Sequence, residues 1–142
     1  MTTRIAVLSG GVGGARLARG FDRVPDVELT VIVNVGDDDR FYGAHVSPDI
    51  DTVLYTLAGI EGNEGWGRRG DSHVVMEHLR AFGEDTSFTI GDADLALNLY
   101  RTARLDSGFP LSAITAELTG LLGVESTILP VSDAPVRTRV QV

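Results

Sequence analysis

The stretch RIAVLSGGVGGARL, residues 4–17, constrains this chain more than any other. RIAVLSG (4–10) is a short apolar run rich in β-formers and closed by glycine, which reads as a buried strand. GARLARGFD (14–22) follows with Leu17 and Phe21 four apart, the spacing of one helix face. A strand, a glycine loop and a helix in that order open an α/β fold with parallel strands. Within the loop Gly10, Gly11, Val12, Gly13 and Gly14, only one residue carries a side chain. Such a loop offers backbone N–H groups and the positive end of a helix dipole to an anion. Gly10 and Gly11 are expected to permit positive φ, and Gly13 and Gly14 to let a ligand approach the main chain. A tight strand-to-helix turn is the plainer reading, but it needs fewer glycines than four. A phosphate cradle is favoured.

The cradle differs from two familiar ones. Counting from Gly11 and Gly13, the third small residue of a dinucleotide fingerprint falls on Arg16, and the second strand ends at Asn34 rather than on an acid. All twelve basic residues are arginine, so a phosphate-loop lysine and Schiff-base chemistry are excluded. The absence of cysteine excludes disulfides, zinc–thiolate sites and thiol nucleophiles. A net charge of −8 argues against sequence-independent nucleic-acid binding, because phosphates would be repelled. No apolar run reaches the roughly 18 to 20 residues of a membrane span. Met1–Arg4 lead directly into the first strand without an export region, so the expected location is the cytoplasm and no membrane partner is expected.

ELTVIVNVG (28–36) reads as a second buried strand and residues 37–49 as a polar loop. Helices are expected at 50–60, at 73–83 with Asp71 or Ser72 as cap, at 92–108, and at 110–123 with Ser112 as cap. Residues 61–72 are a glycine-rich loop, and FTI (88–90) is a short strand or a turn. VESTILPV (124–131) and VRTRVQV (136–142) read as strands. The alternation predicts a single α/β domain over 1–142, a three-layer Rossmann-like arrangement with a mainly parallel sheet.

Acidic residues gather where parallel strands deliver their loops. Asp37, Asp38 and Asp39 follow Gly36 at the end of the second strand, and carboxylate oxygens are the ligands magnesium prefers. Taken alone, that run is a solvated turn. Pro48 opens the next helix between Asp49 and Asp51, and one Asp can cap it while the other stays free for a ligand. Asp92 and Asp94 make a third acidic helix start. His45, His73 and His78 lack metal-ligand spacing and read as surface residues. Trp66, with Arg68 and Arg69, could flank a ligand or sit in a mobile loop.

In order along the chain, SGGVGGARL, VIVNVGDD, SPDIDTVLYTLAG, WGRRGD, TIGDADLA, LYRTARLDSGFPLSAIT and GVESTILPVSDAPVRTRV resemble the 2-phospho-L-lactate transferases of coenzyme F-420 biosynthesis. The resemblance runs over the whole chain and rests on the combination of segments. It implies a magnesium-dependent enzyme that transfers a phospholactyl or phosphoenolpyruvyl group from a guanosine diphosphate conjugate to the terminal hydroxyl of a deazaflavin, releasing GMP. It places Gly10, Gly11, Val12, Gly13 and Gly14 beside the substrates. Asp37 and Asp38 become the metal candidates, Asp37 and Asp51 the catalytic ones. Asn34, Asp49, Asp51, Thr89, Asp92 and Asp94 become substrate contacts.

Family members run to about twice this length, so the chain reads as the N-terminal portion of a longer protein that is a homodimer when complete. Thr89 stands where the family often has a basic residue, Leu97 and Asn98 replace a Thr-His pair, and Ala134 replaces an Asp. The competing function is a non-catalytic regulator that binds a nucleotide sugar with the same architecture. Such relatives are glycine- and serine-rich directly after their Asp pair, whereas DDDRFYG (37–43) follows here and PDIDT (48–52) is intact, which favours the enzyme.

Overall fold

A computed structural model describes residues Met1–Val142. The elements run β1 (Thr3–Ser9), α1 (Val12–Asp22), β2 (Val27–Val33), β3 (Asp39–Phe41), β4 (Ala44–Val46), α2 (Pro48–Ala58), α3 (Val74–Ala81), α4 (Asp92–Asp106), α5 (Leu111–Leu121) and β5 (Thr127–Pro130). β1, β2 and β5 form a parallel sheet in that order. β1 and β2 run in register from Thr3↔Val27 to Ser9↔Val33. β2 and β5 run from Thr30↔Thr127 to Val33↔Pro130. The α/β class and the parallel sheet are as the sequence predicts.

Side-chain alternation decides where the core sits. Val7, Leu29, Val31, Val33 and Ile128 point to one face and are buried there against Ala15 and Ala18 of α1, Ile50, Val53 and Leu54 of α2, and Ile114 and Leu118 of α5. Alanine at both inward positions of α1 lets that helix backbone lie close to the sheet. On the opposite face Leu8, 79% exposed, and Leu129, 37% exposed, flank Ile32 in register. α1, α2 and α5 therefore cover the first face.

Several local expectations are corrected. Residues 37–49 are not a plain loop: β3 and β4 pair antiparallel around Tyr42 and Gly43, at φ 53° and 79°. Positive φ at both central residues is the demand of a tight hairpin turn, and a tyrosine there hides the signal. The Tyr42 hydroxyl donates to the Phe88 carbonyl, and the Phe41 and Phe88 rings stack at 3.8 Å between centroids. Of the two alternatives at 88–90, a strand or a turn, the strand is not formed. Residues 136–142 form none either; just past β5, Val131 N donates to Val33 O at 2.8 Å. Thr138 N donates instead to Gly36 O at 2.8 Å.

The helix caps are exchanged between neighbours. Asp71 does not cap α3; its carboxylate accepts from Ala93 N and Asp94 N, at 2.9 and 3.0 Å, at the start of α4. Asp92 in turn accepts from Val74 N and Val75 N, at 2.9 and 3.0 Å, at the start of α3. Ser72 Oγ donates to Asp92 as well, at 2.7 Å. The two carboxylates satisfy amide groups that each helix start would otherwise leave orphaned. Ser112 is likewise capped rather than capping, its N–H donating to Asp133 at 2.7 Å.

The glycine loop works differently from expectation. Neither Gly10 nor Gly11 has positive φ. Gly14 is the tight position: a Cβ there would lie 2.9 Å from Ser9 Cα, whereas a Cβ on Gly13 would meet nothing within 4 Å. Gly14→Ala should therefore destabilise the chain by about 1–3 kcal/mol through overpacking. Gly13→Ala should be neutral or stabilising by up to about 1 kcal/mol, since it adds helix propensity without a clash. Urea unfolding of the two variants, read by circular dichroism, checks the order. Asp71→Ala should cost about 1–2 kcal/mol through the lost cap in the same assay.

Candidate functional site

α2 is buried almost throughout, from Ile50 to Thr56. Ile50, Val53 and Leu54 are given to the core, and Asp51 lies on the remaining face; Tyr55, four residues on, packs with the core and sends its hydroxyl to Asp94. α4 carries a matching stripe: Asp94, Asn98 and Arg101 at positions i, i+4 and i+7. Where the two stripes meet, a cavity of about 490 Å³ opens. Asp51, Tyr55 and Asp94 supply its polar wall; Val46, Trp66, Phe88 and Ile90 supply apolar ones; Thr89 stands at the rim.

The polar wall is held from behind by a guanidinium. Arg101 is fully buried, and its Nη1 donates to Asp51 Oδ2 at 3.2 Å, to Asn98 Oδ1 at 2.6 Å and to the His45 carbonyl at 3.3 Å. Its Nη2 donates to Asp51 Oδ1. Burial pushes the Asp51 carboxyl up to about 6, against the opposing pull of Arg101. Asp94 is raised too, again chiefly by burial, although it accepts a 2.6 Å hydrogen bond from the Tyr55 hydroxyl. Burial, then the nearby Asp51 and Asp94, drives the Tyr55 hydroxyl far up, so it stays a neutral donor. Arg101 thus pairs directly with Asp51 and acts on Asp94 only through its charge.

A second polar cluster lies at the other side of the first turn of α2. Asn34 Nδ2 donates to Asp49 Oδ2 at 2.9 Å, and Gly36 N donates to Asn34 Oδ1 at 3.0 Å. Asp49 reaches the glycine loop: a Cβ on Gly11 would stand 3.3 Å from Asp49 Oδ1, and one on Gly10 would stand 3.9 Å from Oδ2. Burial raises the Asp49 carboxyl, and the charges of Asp37 and Asp38 raise it further. Asp38 accepts from Ser47 Oγ at 2.7 Å and lies 3.1 Å from His45 Nε2, while its Oδ1 is buried without any partner. Asp37 is exposed, and Asp39 pairs with Arg137 at 3.0 Å.

The expected site residues are therefore sorted into three groups. Asp51, Thr89 and Asp94 meet at the cavity. Gly10, Gly11, Asn34 and Asp49 meet beside the Asp37–Asp38 loop. Val12, Gly13, Gly14 and Asp92 do not line the cavity. Val12 packs under Gly65, Gly14 seats α1 on Ser9, and Asp92 is the cap of α3, with its carboxyl held below the ordinary range chiefly by Ser72. His45 is not a free surface residue but half-buried on Asp38.

Sequence reasoning missed Tyr55, Asn98 and Arg101. The signal was present in α4, where polar residues at i, i+4 and i+7 mark a buried polar stripe in an otherwise amphipathic helix. No three His, Asp or Glu side chains converge closely enough to hold a metal ion by themselves.

No helix is long and apolar enough to cross a membrane. The profile of the family described as 2-phospho-L-lactate transferase CofD matches residues 5–142. A phosphoenolpyruvate transferase of Streptomyces griseus is 46% identical over 142 residues, covering 98% of this chain and 45% of its own. A 2-phospho-L-lactate transferase of Methanopyrus kandleri is 44% identical over 143 residues, covering 99% of this chain and 46% of its own. The chain thus spans about half the length of the curated relatives it matches. A UPF0052 family protein of Bacillus halodurans has the same fold, with a TM-score of 0.61 at 23% identity over 94% of this chain and 40% of that one. A profile match over nearly all its residues, together with such identities to named transferases, places the chain in the CofD 2-phospho-L-lactate transferase family.

Proposed function

We propose that this chain carries the acceptor pocket, and part of the donor site, of a transferase that moves a phospholactyl or phosphoenolpyruvyl group from a guanosine diphosphate conjugate to a deazaflavin. The observation that carries the reading is the buried, Arg-paired Asp51 at the wall of a cavity of about 490 Å³. That volume lies in the range of small-molecule sites. Trp66 and Phe88 give it aromatic walls for a fused ring system, and Asp51 gives it an acceptor for the terminal hydroxyl. In the step itself the hydroxyl oxygen bonds to the phosphorus next to the carboxylic-acid moiety, the bond from that phosphorus to the GMP oxygen breaks, and Asp51 takes the hydroxyl proton. An Asp with its carboxyl raised to about 6 is still ionised at neutral pH and is a better base than an ordinary aspartate.

The donor diphosphate belongs on this reading at Gly10 and Gly11, where the α1 start and Asn34 face Asp49. Magnesium commonly takes one or two carboxylates and completes its shell with water and substrate phosphate. Asp37, exposed, and Asp38, with a buried oxygen that has no partner, fit that role. Bound there, the ion would neutralise charge developing on the departing phosphate. The complete protein works as a homodimer in the cytoplasm on this reading.

Trp66 is the single tryptophan and lines the cavity, so its emission reports occupancy. Titrating residues 1–142 with a deazaflavin should quench that emission saturably, and Asp51→Asn should weaken the binding about tenfold or more. Saturable quenching that is the same in Asp51→Asn would remove the cavity from the reading. In a family-length version of this protein, Asp37→Asn should lower magnesium-dependent turnover roughly a hundredfold, about 3 kcal/mol, with little change in deazaflavin affinity. Asp39→Asn should be mild, since Asp39 is engaged with Arg137. Full turnover by Asp37→Asn would sink the metal assignment.

A further inference from the structure

Arg101 is fully buried, and a charged side chain is rarely so unless it is paired. As a contribution to stability alone, an apolar residue of similar size would serve as well or better than a buried ion pair. Its geometry is that of a clamp. The guanidinium takes both oxygens of Asp51, on α2, through Nη1 and Nη2. It is braced on its own helix by Asn98 and across to β4 by the His45 carbonyl. The brace is itself anchored: Asn98 Nδ2 donates to the Asp94 carbonyl at 2.9 Å and to Asp94 Oδ1 at 3.3 Å. His45 N donates to Thr102 Oγ1 at 2.8 Å, which donates to the Asn98 carbonyl at 2.7 Å.

We propose that Arg101 is the positioning residue of the cavity: clamped between Asn98 and the His45 carbonyl, it fixes the orientation in which Asp51 presents its carboxylate to the acceptor hydroxyl. This rests on the proposed function for the identity of the acceptor, but not for the clamp. The groups facing Asp51 are Arg101 and Asp94 from α4, Tyr55 from its own helix, and Asp38 from the loop before β3. Among them only Arg101 is positive. A planar fork bonds two oxygens at once, which a lysine ammonium cannot reproduce. Without the fork, Asp51 keeps its burial and its acidic neighbours and loses its main compensation, so its carboxyl moves further up and its oxygens are free to turn.

The experiment uses residues 1–142 with 13C-labelled carboxylates, followed by NMR across pH, together with deazaflavin titrations on the same samples. In the wild type, Asp51 should titrate well above the ordinary aspartate range, at about 6. In Arg101→Lys its midpoint should rise by about a pH unit or more. Deazaflavin affinity should fall roughly tenfold, and more at pH 6.5 than at pH 8.5. Asn98→Ala, which removes one brace and leaves Arg101 in place, should change both quantities in the same direction by less, and it serves if Arg101→Lys does not fold.

An unmoved midpoint in a folded variant overturns the clamp. A moved midpoint with unchanged deazaflavin affinity overturns positioning and leaves Arg101 a structural ion. If the wild type binds no deazaflavin while the midpoint moves as expected, the proposed function fails and the hold of Arg101 on Asp51 stands.

Discussion

Parallel pairing of β1 with β2 brings Ser9 level with Val33, and the meeting of the glycine loop with the acidic loop follows from that register. The glycine loop leaves β1 and the Asn34–Asp39 loop leaves β2 at the same end of the sheet. In parallel α/β sheets that end is where ligands bind. α2 then enters the crevice by its first turn, so Asp49 turns toward the glycine loop and Asp51, two residues on, toward the cavity. A single helix start thereby divides the crevice into two halves.

The elements that were legible in the sequence are those set by local pattern. The strands around 4–8, 29–33 and 127–130 and the helices alternating with them are short apolar runs and amphipathic stretches with glycine stops. What the sequence hid depends on partners distant along the chain. Asp71 and Asp92 each look like a cap for the helix they precede, yet each serves the other's helix 20 or so residues away. Residues 136–142 have strand composition, but their backbone tie is Thr138 N to the Gly36 carbonyl in the loop beyond β2 rather than a ladder. Gly13 and Gly14 look alike in sequence; only the approach of α1 to Ser9 separates them. For the candidate site, Asp51, Thr89 and Asp94 could be read from motifs, whereas Arg101 acts from behind the wall and carries no motif of its own.

The exchanged caps also matter to the site. Gly91 cannot carry a Cβ because the Asp71 side chain occupies the place, with Asp71 Cβ only 2.8 Å away. Asp71 therefore sits tight against the start of α4, and Asp94 is delivered to the cavity at a fixed height. Tyr55 then bonds Asp94 from α2, closing a loop of contacts through Asp94, Asn98, Arg101 and Asp51 back to α2. Rigid elements on both sides hold the carboxylates, as precise positioning of reacting groups requires.

Charge separates the two halves of the crevice by the ligands they can accept. The cavity presents Asp51 and Asp94 against one guanidinium already committed to Asp51 and Asn98. An anion would meet uncompensated negative charge there, while a neutral molecule with hydroxyl donors would find acceptors and apolar walls. The glycine-loop half offers amide donors, but Asp37, Asp38 and Asp49 stand beside it; burial raises the Asp49 carboxyl and the charges of Asp37 and Asp38 add to that rise. A diphosphate is repelled by that loop unless a cation lies between them. On the proposed reading the same acidic loop that would reject a bare diphosphate is what selects its magnesium complex, and the neutral acceptor is kept to the half where no cation is needed.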